Sequence, residues 1–218
     1  SINYTITELE TSLAIGVIII LVLSAISLIV ALHSFFGTIT FTIKEMVELA
    51  ILIGLAIIFD FFPKIKLSGG AGSIGLTMLP LFIIAMRFNF VKSFISGGII
   101  YGLLTCLLDG YGFATYPFDY LMGFGLLAVV SLFRHLIFNE SLKKWQHFLL
   151  LAVAIIFGGL LRILASTVSS MLIYQYSFWA GIVYNVTYIV PSLAIVTIIL
   201  MLLLPSLKQM NRRFPRHD

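Results

Sequence analysis

The residue types best suited to chemistry gather in Gly110–Tyr120, GYGFATYPFDY, which holds three tyrosines, two phenylalanines and one carboxylate, Asp119, and no lysine or arginine. The stretch lies between two hydrophobic segments, so Asp119 falls at the entrance of an apolar span. An unpaired carboxylate there costs a few kcal/mol and should face protein, water or a ligand rather than lipid. Ring faces attract positive charge and a carboxylate neutralises it, so this pattern suits an organic cation. An interfacial aromatic belt with a hydrated Asp is the other reading of the same residues.

Other polar groups inside apolar stretches add to the inventory. Arg162 is followed by Ser166, Thr167, Ser169 and Ser170. A buried arginine seeks a carboxylate or several carbonyls. Asp119 and Asp60 are both candidates, and lining a ligand pocket or bracing a bundle fits Arg162 equally. Near the C-terminal end, YQYSFWAGIVYNVTYIVPS places Tyr184 and Tyr188 on one helix face, with Asn185 beside them and Tyr174 and Trp179 near the interface. An asparagine amide in an apolar setting needs partners. Ala50-x-x-x-Gly54, followed by Ala56, puts a small-residue groove on one helix face, open to packing within a bundle or to a partner helix. There is no HExxH, G-x-S-x-G or Walker A pattern, and the four histidines (His33, His135, His147, His217) lack ligand spacing. The chain is expected to be neither an enzyme nor a metalloprotein, and to need no cofactor.

The elements that position these groups follow from composition. The 218 residues are 61% hydrophobic and 10% charged, where a water-soluble domain carries about 25% charged residues. The expectation is an all-α polytopic transmembrane helix bundle. Seven hydrophobic segments are of spanning length, at approximately 11–33, 42–62, 74–90, 91–108, 117–138, 145–173 and 178–205. Pro80 and Pro191 fall inside spans and predict kinks. The leader SINYTITELE has two glutamates and no basic residue, the wrong charge for a signal peptide, so the first segment reads as a genuine span. The single Cys106 allows no disulfide. If the spans alternate, Lys44, Arg87, Lys92, Arg134, Lys143, Lys144, Lys208, Arg212, Arg213 and Arg216 share one side, and Lys64 and Lys66 the other. The positive-inside rule then puts the N-terminus outside and the C-terminus in the cytoplasm. Asp60, the SGGAG loop, Asp109 to Asp119 and Tyr174–Asn185 gather at the outer end.

From about Thr42 to Lys208 the chain resembles the thiamine-specific substrate-binding (S) subunits of energy-coupling factor (ECF) vitamin transporters. Four stretches carry the resemblance: TIKEMVELAILIGLAIIF, GSIGLTMLPLFIIAMRFNFVKSFISGGIIYGLL, YPFDYLMGFGLLAVVSLFR and YNVTYIVPSLAIVTIILMLLL. The third is the most specific, since the family has an acidic residue followed by tyrosine where Asp119 and Tyr120 stand. Asn185 matches a family asparagine that contacts the ligand, and Ala50/Gly54 resembles the motif that docks on the coupling protein. Tyr174 stands where the family has a stacking tryptophan and Ser166 where it has a histidine. Ala180, with Trp179 adjacent, replaces a tyrosine, and Tyr111 is a loose match to another.

The resemblance implies a six-helix S-subunit core at 39–208, an extra N-terminal transmembrane helix within 1–38 and a basic cytoplasmic tail at 209–218. It implies vitamin capture outside a bacterial plasma membrane, and union with a transmembrane coupling protein and two ATPase subunits that hydrolyse ATP. The ligand expected is thiamine or a thiamine-like heterocycle. Asp119 would be the counter-ion, with Tyr120, Tyr174 and Trp179 as ring platforms and Asn185 bonding the heterocycle. Tyr111, Tyr116, Tyr184, Ser166 and Arg162 are further candidates. Another heterocyclic vitamin of pyridoxine type, or a non-transport scaffold role, are the alternatives. If Arg162 reaches the pocket, an anionic or phosphate-bearing ligand also becomes suitable.

Overall fold

A computed structural model describes residues 39–67 and 72–214. The expected first span, at about 11–33, lies outside the described residues, as do 68–71 of the SGGAG loop and the last four residues. The chain divides into compact units at Phe41/Thr42, and the second unit is described here.

Helix α1, Ile43–Phe61, opens with a capping box. Thr42 Oγ1 accepts from the Glu45 amide at 3.3 Å, and Glu45 Oε2 accepts from the Thr42 amide at 2.8 Å. These bonds satisfy two donors that every helix start leaves open. A short antiparallel hairpin follows, β1 Lys64–Lys66 with β2 Ser73–Gly75, pairing Ile65 with Ile74. Helix α2, Met78–Arg87, has only 10 residues. At 1.5 Å per residue it spans about 15 Å, half of a bilayer core. The expected span at 74–90 is therefore a correction: its first residues enter the hairpin, and the helix is buried among its neighbours, with Phe82, Ile84 and Ala85 at most 1% exposed. Pro80 is the third residue of α2 and bends nothing, because a first-turn residue has no intrahelical acceptor to lose.

Four longer helices, α3 Phe90–Asp109, α4 Phe113–Ile137, α5 Lys144–Tyr174 and α6 Phe178–Arg213, are long and apolar enough to cross a membrane. Pro191 does lie inside α6, as does Pro205. Helix α6 continues to Arg213, past the boundary expected at 208. Together α1 to α6 make the all-α bundle that the sequence implied, with the hairpin as the one strand pairing among the described residues.

Helices α3 and α4 set the geometry of the site. Each contains a π-helical stretch, Ile95–Tyr101 in α3 and Tyr116–Met122 in α4. These wide turns lie against one another, backbone to backbone. A Cβ on Gly98 would come within 2.6 Å of the Leu121 carbonyl oxygen, and one on Gly102 within 3.1 Å of that of Tyr120. Only glycine allows this approach, so the small residues of α3 are explained by close helix packing. The π turn of α4 carries Asp119 and Tyr120 at its centre. Such turns recur at functional sites because the extra residue re-aims side chains.

The end of the bundle opposite the hairpin is tied by ions. Arg87, 1% exposed, donates from Nε to Glu48 Oε1 at 2.7 Å and from Nη2 to Oε2 at 3.3 Å. Its Nη1 donates to Asn211 Oδ1 at 3.1 Å and to the Phe214 carbonyl at 3.2 Å. Lys92 donates to Glu45 at 2.8 Å. One arginine thus joins α1, α2 and the end of α6, and the two glutamates of α1, Glu45 and Glu48, are both paired.

Candidate functional site: an acidic, aromatic cavity at one end of the bundle

A cavity of about 550 Å³ opens among the hairpin and the ends of α1, α3, α4, α5 and α6. That volume lies within the range of small-molecule sites, about 300–1,000 Å³. Asp119 lines it and accepts a hydrogen bond from Ser166 Oγ at 2.5 Å. Ser166 is 1% exposed, so the bond holds the carboxylate from the buried side of α5. Tyr120 lines the wall next to Asp119 and donates from its hydroxyl to Asp109 Oδ2 at 3.1 Å.

Arg162 reaches the cavity wall, and its guanidinium lies over the Phe124 ring at 3.9 Å. Its Nε and Nη1 are buried and have no hydrogen-bond partner among the described residues. Neither Asp119 nor Asp60 takes it up as an ion pair within 4.0 Å. The ring face supplies part of the compensation for this buried cation. The residue therefore lines the pocket and stands on an aromatic support.

Asn185, 1% exposed, lines the cavity with both ends of its amide engaged. Nδ2 donates to the Gly181 carbonyl at 2.9 Å and to Ser170 Oγ at 3.1 Å. Oδ1 accepts from Tyr188 hydroxyl at 2.8 Å. Edge-to-face ring contacts run from Tyr176 to Tyr184 at 5.7 Å and from Tyr184 to Tyr188 at 5.8 Å, with Tyr174 6.3 Å from Tyr176. Tyr174, Tyr184 and Tyr188 line the cavity, as does Tyr111, which is 67% exposed at its rim.

Two expected residues stand elsewhere. Trp179 is 73% exposed and stacks edge-on with Phe178, away from the cavity lining. Tyr116 stacks on Phe113 and donates to the Gly98 carbonyl at 3.4 Å, bracing the α3–α4 contact. Conversely, Asp60, Asp109, Lys64, Phe124, Tyr188 and Ser192 line the cavity without having been singled out as site residues. Sequence reading did place Asp60 and Asp109 at this end of the bundle; their separation along the chain hid the fact that they share one space.

The arrangement is that of a polytopic membrane protein holding a small-molecule pocket at one end, able to neutralise a cation at Asp119 and stack flat rings on tyrosines. A family model described as "Thiamine transporter protein" matches residues 46–212. This chain belongs to that family. It is 31% identical over 174 residues to the thiamine transporter ThiT of Bacillus subtilis (strain 168), covering 73% of this chain and 89% of that protein. A solved structure of ThiT from Listeria monocytogenes superposes with a TM-score of 0.65 at 22% identity, covering 74% of this chain and 95% of the other. The fold is thus the one expected from the sequence, and membership of a transporter family agrees with the lack of a catalytic motif.

Proposed function

We propose that this chain takes up thiamine as the substrate-binding subunit of an ECF-type transporter, capturing it in the cavity that Asp119 lines. The observation that carries this reading is Asp119 itself, held by Ser166 at 2.5 Å within a tyrosine-walled cavity of about 550 Å³. Thiamine joins a cationic ring to a flat heterocycle, and each finds its complement here. The cation meets the carboxylate, and the heterocycle meets Tyr120, Tyr174 and Tyr184. Asn185 lies at the cavity wall, with Arg162 on its Phe124 support nearby. The family match favours this ligand over a pyridoxine-type vitamin and over a scaffold role.

The cavity faces outward on this reading, because the basic residues at the opposite end mark the cytoplasmic side. The groove of Ala50 and Gly54 then serves to dock the coupling protein. Ala50 is exposed, and a Cβ on Gly54 would meet nothing within 4 Å, so this face of α1 is open to a partner helix. ATP hydrolysis falls to two separate ATPase subunits.

Calorimetric titration of the detergent-purified chain with thiamine tests the reading. We expect saturable one-to-one binding, and Asp119→Asn should weaken it roughly 10- to 100-fold, since a bond to a charged group contributes about 1.5–3 kcal/mol. No binding by the wild-type chain, or an unchanged affinity in Asp119→Asn, contradicts it.

A further inference from the structure

A second cavity, of about 260 Å³, opens at the end of the bundle opposite the hairpin. It lies where α2, α4 and α6 end, and its wall is Met86, Arg87, Arg134, His135, Phe138 and Asn211. Two of these are arginines with little access to water, Arg87 at 1% exposed and Arg134 at 9%. Among the described residues no carboxylate lines the cavity. Glu48 meets Arg87 from α1, and Glu140 is taken up by the exposed Arg212.

The wall also carries hydrogen-bond donors in excess. Asn211 accepts from Arg87 at Oδ1, so what its amide has left are the donors of Nδ2, which have no partner among the described residues. Arg87 keeps a further N–H on Nη2 beyond its bond to Glu48. Basic residues in a last helical turn ordinarily serve the carbonyl ends of helices, as Arg87 does at Phe214. That role does not account for the Asn211 amide, nor for two buried guanidiniums in one small wall. A donor-rich, cationic cavity is complemented by an occupant that only accepts and is negatively charged.

We propose that this cavity is a phosphate site, filled by the headgroup of an anionic phospholipid. The unesterified oxygens of a phosphodiester are acceptors that share a negative charge, and arginine meets them with its planar fork of N–H groups. The volume is below the range of about 300–1,000 Å³ that encloses a whole small ligand, and it suits a headgroup whose chains stay in the bilayer. Met86 and Phe138 give the wall an apolar part for the glycerol carbons. Basic pockets between helices at a cytoplasmic surface bind lipid headgroups in this way. A diester held here links the end of α4 to the Arg87 clamp, which already joins α1, α2 and α6.

The inference does not depend on thiamine being the ligand of the other cavity. The detergent-purified full chain, Asn211→Asp and Arg134→Gln are titrated in native mass spectrometry with phosphatidylglycerol, with phosphatidylcholine of the same chains, and with inorganic phosphate. Thermal unfolding of each reports whether it is folded. Wild type should hold one phosphatidylglycerol about tenfold or more tightly than phosphatidylcholine, whose choline cation is set against the arginines. Asn211→Asp keeps the acceptor that Arg87 uses and adds negative charge to the wall, so it should melt cooperatively and lose the preference. Arg134→Gln should lower the preference by about tenfold or more. Equal wild-type affinities for the two lipids overturn the inference. So does a preference that survives in both variants, because exposed lysines such as Lys143 and Lys144 would then hold the lipid by surface charge alone. Loss of cooperative melting in both variants also overturns it, since these residues would then brace the bundle rather than bind. Binding of inorganic phosphate without phosphatidylglycerol overturns the lipid as the source, and a wild-type chain that binds neither overturns the site.

Discussion

At the scale of single residues, Asn185 has the tightest set of obligations in the cavity wall. Its amide holds Gly181 and Ser170 on one side and Tyr188 on the other, so it ties α6 to α5 and fixes one ring of the tyrosine wall. Asn185→Ala would take the acceptor from the buried Tyr188 hydroxyl, and an unsatisfied group there costs about 1–3 kcal/mol, while Ser170 Oγ keeps its bond to the Ser166 carbonyl. The variant should melt several degrees lower in detergent, and its thiamine affinity should fall because Tyr188 is no longer held. Thermal unfolding with and without thiamine checks both. A variant with unchanged melting temperature would mean that these bonds contribute nothing net. The sequence already announced this residue, since an asparagine in a span must find partners. It announced Asp119 for the same reason. Trp179 was a fair candidate by type, but its position in the first turn of α6 turns it outward, and residue type alone carries no direction.

At the scale of elements, the site depends on how closely α3 and α4 approach. Gly98 and Gly102 bring the two π turns into backbone contact, and this contact sets where Asp119 and Tyr120 point. Gly98→Ala inserts a methyl 2.6 Å from the Leu121 carbonyl, and overpacking of this kind costs about 1–3 kcal/mol. We expect a lower melting temperature and weakened thiamine binding from a substitution that touches no ligand. Gly54 is the contrast, because nothing lies within 4 Å of its missing Cβ. Gly54→Leu should keep thiamine binding and lose copurification with the coupling protein; retention of that partner would remove the docking role from this face. Among the described residues the long helices were legible from hydropathy to within a few residues, save that α6 runs on to Arg213 instead of stopping near 205. The hairpin and the short α2 were not, because an apolar run of buried core and an apolar run facing lipid have the same composition. The π turns were not legible either, because the one-residue phase shift that each introduces is lost in segments that are apolar on nearly every face.

At the scale of the whole molecule, charge is sorted between the two ends of the bundle, and the sorting bears on which way the cavity faces. One end carries Arg87, Lys92, Arg134 and the last turns of α6, with Glu45 and Glu48 consumed in pairs. The other carries Asp60, Asp109 and Asp119 around open space, with Lys64 and Lys66 of the hairpin beside them. The orientation proposed above follows the basic end, since lysine and arginine are retained on the cytoplasmic side whereas acidic residues contribute little. The native thiol, Cys106, is 4% exposed and offers a silent background for thiol labelling. Ala114, exposed in the turn that opens α4, and Ser141, exposed between α4 and α5, lie at opposite ends. In intact cells, a membrane-impermeant maleimide should label Ala114→Cys, and it should reach Ser141→Cys only after permeabilisation. The reverse pattern would place the cavity toward the cytoplasm and remove capture from outside as its role. The expected pattern would leave a carboxylate-lined pocket facing the medium and an ion-clamped base facing the cell, so that ligand and energy supply meet the bundle from opposite sides.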